Sequence, residues 1–110
     1  MSWIRPLNSG DLRHRIKIER PVETQDAFGE VELAFHPFAD RWAAIEPLRG
    51  RERMEADAVD ARTTHRVLLR NLEVNPRDRL KYGARTFEVV SSIDPDERGI
   101  FIELRCEEKR

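Results

Sequence analysis

Hydrophobic and polar positions alternate with a period of two in several short runs along this chain. Leu12, His14, Ile16 and Ile18 take one side, and Arg13, Arg15, Lys17 and Glu19 the other. This is the pattern of a half-buried antiparallel strand, and Pro21 is expected to end it. Val31, Leu33 and Phe35 alternate with Glu30, Glu32, Ala34 and His36 and stop at Pro37, while Asp26-Ala27-Phe28-Gly29 supplies a turn, so the two runs predict a hairpin. Trp42, Ala43, Ala44 and Ile45 form the longest apolar run, bounded by Pro47 and Gly50, and Val67, Leu68 and Leu69 mark a strand over 66–70. A turn at 75–78 precedes a short strand over 80–82, which reverses through Gly83 into another over 86–91, with Phe87 and Val89 pointing inward. After the turn at 94–99, Ile100, Ile102, Leu104 and Cys106 alternate with Phe101, Glu103 and Arg105.

Short strands separated by turn signals predict a mainly β fold, a small antiparallel β-barrel or sandwich. One stretch breaks the period. Residues 51–61 hold no Gly or Pro, and Met54, Ala58 and Ala61 fall on one helical face, which predicts a short helix inserted between the central strands. The charged insertion over 49–64 is long for a connection between two antiparallel strands, and such lengths point to function as readily as to a solvated crossover. Within it Arg49, Arg51 and Arg53 recur at every second position, a local basic strip interleaved with Glu52 and Glu55. Residues 1–11 read as an N-terminal arm with two apolar side chains, Trp3 and Ile4, outside any strand pattern, and so as a partner-docking segment. Trp42, with Ile45 and Phe87, is expected to anchor the core.

Length fits one domain, 1–110, of modest core. Charged residues make up 37% against a usual ~25%, and the hydrophobic share of 39% is low, so burial against copies of itself would help this chain. A net charge of -1 argues against a dedicated nucleic-acid binder. Cys106 is the single cysteine, which excludes an intrachain disulfide, and no apolar run reaches the length of a signal-peptide core or a membrane span. The expected location is therefore the cytoplasm, with no membrane association. His14, His36 and His65 have no Cys or acidic neighbours at metal-site spacing. Ser91 or Ser92, His65 and Asp94 could be assembled into a hydrolase triple only on paper, since no nucleophile-elbow motif marks either serine. The carboxylates of the insertion read as helix-surface ion pairs, and no P-loop or dinucleotide fingerprint is present. The expectation is a non-enzyme without cofactor or metal.

Several motifs in order resemble the phage head-tail joining family, also termed head-tail adaptor or head closure proteins. They are Gly10-Asp11-Leu12-Arg13-His14-Arg15-Ile16, the turn Asp26 to Gly29, and Trp42-Ala43-Ala44-Ile45-Glu46-Pro47-Leu48-Arg49-Gly50-Arg51-Glu52. Thr64-His65, the strand ending at Arg70, residues 79–87 and the closing Leu104-Arg105-Cys106-Glu107-Glu108 complete the set. Phe35 stands where the family is expected to have a tryptophan, and Asn71 follows Arg70 where an aromatic residue is common. The resemblance implies a β-barrel subunit of a tailed phage, prophage or gene-transfer particle. It would form a homo-oligomeric ring below the portal, close the head and dock tail components, with duplex DNA passing through without sequence specificity. It would be made in the cytoplasm and end in the virion. Arg49, Arg51, Glu52, Arg53 and Glu55 would then meet a neighbouring copy or the DNA channel. The alternative from the residues themselves is a small OB-like nucleic-acid-binding β-barrel, which requires basic and aromatic residues on one sheet face.

Overall fold

The computed structural model describes residues 9–48, 62–95 and 97–109. Six antiparallel strands close on themselves in the order β1-β2-β3-β6-β5-β4. The strands are β1 (His14–Gln25), β2 (Val31–Pro47), β3 (His65–Arg70), β4 (Arg79–Tyr82), β5 (Arg85–Ile93) and β6 (Phe101–Lys109). Of the two architectures expected, barrel or sandwich, the chain adopts the closed barrel. Among the described residues there is no α-helix, only a 3-10 turn at Ser9–Asp11. The helix expected over 51–61 lies outside the described residues, as do Trp3, Ile4, Arg49, Arg51, Glu52, Arg53 and Glu55.

Inward positions follow the period of two. Ile16 and Ile18 of β1 meet Val67 and Leu69 of β3, Leu80 of β4, Phe87 and Val89 of β5, and Leu104 and Cys106 of β6 in one buried cluster. Ile45 is partly buried against the same cluster. Burial leaves the Cys106 thiol without water or a counter-charge to stabilise a thiolate, and its pKa is pushed up accordingly. Closure depends on three residue pairs between β1 and β4, Lys17 with Lys81, Ile18 with Leu80, and Glu19 with Arg79. Gly83 takes φ +58 in the two-residue turn from β4 to β5, a left-handed conformation that glycine adopts without steric cost.

The first two strands depart from the sequence reading. Pro21 was expected to end the first strand and Pro37 the second, yet β1 runs through to Gln25, and β2 continues from Val31 past Trp42 to Pro47. Prolines are excluded from strands flanked on both sides, but these two lie in a two-stranded ribbon with open edges, where a missing donor breaks few ladder bonds. A register shift between Ile18 and Glu19 accommodates Phe38, so that Ile18 faces Ala39 and Glu19 faces Pro37. Beyond this bulge the ribbon leaves the barrel, and the molecule measures 53 × 28 × 27 Å as a result.

Leu12 also differs from its expected place beside Ile16 and Ile18. The strand starts only at His14, and Leu12 packs on the outside of the barrel with Leu68 and Phe101. This covered outer face explains why Glu103 and Arg66, both set in outward register, are buried as well. Each has a partner of opposite charge type, with Arg66 Nη2 donating to Glu46 Oε1 at 2.7 Å and Arg105 Nε donating to Glu103 Oε2 at 2.9 Å.

Candidate interaction surface

The ribbon is fixed at its base by two arginines, each holding a carboxylate and an aromatic ring. Arg20 of β1 donates from Nη2 to Asp78 Oδ2 at 3.0 Å and from Nε to Oδ1 at 3.2 Å, and its guanidinium lies 3.9 Å from the Phe38 ring centroid. The bonds to Asp78 raise the Arg20 pKa above its ordinary value. Asp78 is itself 1% exposed and also accepts the Asn75 backbone N–H at 2.8 Å, so the clamp is tied to the loop ahead of β4. Arg79 of β4 donates from Nε to Glu19 Oε1 at 2.6 Å and stacks 3.8 Å from the Phe35 ring centroid. Charge-assisted bonds and cation–π contacts of this kind fix direction as well as distance.

The far end is ordered by its own turn. Asp26 Oδ1 accepts the N–H groups of Phe28 at 2.8 Å and Glu30 at 2.9 Å, and the Gly29 N–H reaches the Asp26 carbonyl at 3.1 Å. Gly29 has φ +83, which an L side chain rarely adopts. The consequence is a rigid tip that holds Phe28 out at 92% exposure. Val31 and Leu33 behind it are also exposed. Residues 21–38 carry Glu23, Asp26, Glu30 and Glu32 but no lysine or arginine, giving this arm a net charge of -4 and the rest of the chain +3.

Trp42, expected in the core, stands 53% exposed instead. Ala43 is the inward residue at this level, so Trp42 must face out, where it pairs in register with Arg15 and carries that guanidinium 5.5 Å from its ring centroid. Leu12, Arg15, Asp40, Arg41, Trp42 and Arg70 line a groove of about 570 Å³. Its floor is apolar, and its rim holds three arginines against one aspartate. Among the described residues no carboxylate lies in ion-pair reach of Arg15, Arg41 or Arg70. Phe87 lies wholly inside the barrel and Ile45 at its margin, so of the three aromatic or aliphatic residues expected to anchor the core, only Trp42 lies on the surface.

Sequence reasoning gave Phe28 no role beyond the turn and missed the Arg20 and Arg79 clamps. The available signal was a phenylalanine at the second-last position of a four-residue turn, a place where polar residues prevail. His65, the histidine of the hypothetical triple, is held by Thr64 Oγ1 at 2.9 Å and packs edge-on against Phe87.

These surfaces belong to a closed barrel with a projecting arm, and the family comparison gives them a context. The model of the phage head completion protein family matches residues 7–109. The chain belongs to that family. It is thus a structural head–tail connector protein, a component of the virion that contacts other virion components. Among solved structures, a protein from Shigella flexneri 2a studied in solution is similar at TM-score 0.77 and 26% identity, covering 93% of this chain and 96% of that one. A chain in the virion of a native gene transfer agent particle has the same fold at TM-score 0.63 and 23% identity, with 96% and 98% covered. No curated protein sequence matches the chain.

Proposed function

We infer that this chain acts as one subunit of a ring beneath the portal, closing the DNA-filled head and offering a docking surface to the tail. The reading is carried by the arm, a rigid, acidic ribbon with an apolar tip, clamped to a closed barrel that needs no partner to complete its own sheet. A barrel of this kind has little use for such an extension in isolation, whereas a connector must engage neighbours at fixed angles. In this reading the chain forms a single domain, works by binding without catalysis or cofactor, waits in the cytoplasm and then joins the virion. Duplex DNA passes through the ring without sequence readout. The arginine-rich residues Arg49, Arg51 and Arg53, with Glu52 and Glu55, then contribute to the channel or to contacts between copies, and Trp3 and Ile4 to docking.

The test is particle assembly in a producer strain that lacks the chain. Filled heads should accumulate without tails and lose their DNA, and supplying the protein should restore tailed particles. Normal tailed particles made without it would overturn the reading. Purified protein should also change its sedimentation when mixed with the portal complex.

A further inference from the structure

The arm and the groove are opposite in charge and both offer an exposed aromatic side chain, and they lie at opposite ends of one ribbon. We propose that Phe28, at the hairpin tip of one copy, seats in the Trp42 groove of a second copy, making the repeating contact of the ring. The occupant is another copy of this chain, and the inference rests on the ring reading above.

Three observations carry it. The tip is preorganised by the Asp26 turn, so ordering it on a partner costs little, and an exposed aromatic held rigidly is the usual anchor of an interface. The groove is apolar at Trp42 and Leu12, and about 570 Å³ gives ample room for a phenyl ring. Its arginines Arg15, Arg41 and Arg70 lack carboxylate partners among the described residues, and so do Glu23, Glu30 and Glu32 of the arm lack cationic ones. Docking the acidic tip against the arginine rim would neutralise both in one step.

The same ribbon excludes an intramolecular contact. Along β2, Val31 and Trp42 are separated by eleven residues of extended chain, roughly 35 Å at the usual rise per residue, so the tip cannot fold back to its own groove. A knob at one end and a hole at the other make a heterologous contact, which generates rings when the rotation closes. The contact is small, and each copy makes it twice, so closure supplies the avidity that one seat lacks.

Cross-linking tests the seat. Phe28→Cys and Asp40→Cys are introduced together in the full chain. Cys106 does not compete, since it is fully buried. Oxidation of purified protein at high concentration, and of assembled particles, should give a ladder of multimers that neither single variant gives. A charge exchange provides the second arm. Arg15→Glu with Arg70→Glu, and separately Glu30→Arg with Glu32→Arg, should each cut particle yield at least tenfold, and the four together should recover most of it. If particles contain the protein at the head–tail junction yet show no ladder, or if the exchange restores nothing, the tip binds another virion protein and the proposal fails while the ring reading stands. If the protein is absent from particles and purified protein gives no ladder, both fail.

Discussion

The barrel and the arm are built from the same two strands, but opposite forces hold them. Within the barrel, β1 and β2 present Ile16, Ile18 and Ala43 to a buried apolar core, and the sheet is closed on both sides. Past the bulge at Ile18 and Glu19, the same strands enclose no core among the described residues, expose Val22, Val31 and Leu33, and are held by arginine clamps at one end and an aspartate turn at the other. Apolar burial sets stability in the first region. Polar and cation–π geometry sets direction in the second, so sequence changes there should alter assembly while leaving folding largely intact.

The comparison is broken most severely from the barrel side. Phe87→Ala removes a fully buried ring and should cost about 3–5 kcal/mol in urea unfolding, enough to leave the domain marginal. Asp78→Ala acts at the junction. It leaves Arg20 without its carboxylate and Asn75 without its acceptor, and about 1.5–3 kcal/mol should be lost, together with the fixed angle of the arm. The angle can be read by spin-label distances between the tip and β6. Gly29→Ala forces a side chain into left-handed backbone and should cost about 1 kcal/mol, with hydrogen exchange rising at the tip alone. Phe28→Ala should change the melting free energy by no more than about 0.5 kcal/mol, as expected for an exposed residue, while tailed-particle yield falls. A large loss of stability in that last variant would mean that the tip belongs to the folding unit after all.

Most of the barrel was legible because its strands have one wet and one dry face, and a period of two records that directly. The core positions Phe87, Val89, Leu104 and Cys106 followed from it. The arm was not legible, because Pro21 and Pro37 normally end strands, and only the open edges of the ribbon remove that objection. Trp42 was misplaced for a related reason. An apolar run of four does not reveal which face is dry, and the inward position went to Ala43 because the barrel interior at that level is filled from the other strands. The Arg20 and Arg79 clamps join residues about sixty positions apart, a separation that no local pattern encodes.

The two prolines of the ribbon have a further effect on how this protein can be stored before use. Among the described residues, β2 has no strand neighbour from Val31 to Trp42 on the side away from β1, and beyond Glu19 β1 has none on the side away from β2. An unguarded ribbon with two such edges would add strands from other copies and grow into fibres. Pro21 and Pro37 each delete a backbone donor, and Glu23, Glu30 and Glu32 place like charges wherever two arms would align edge to edge. The arm can therefore be concentrated without joining its edges to those of other copies, which leaves its side chains as the means of contact under the proposal above.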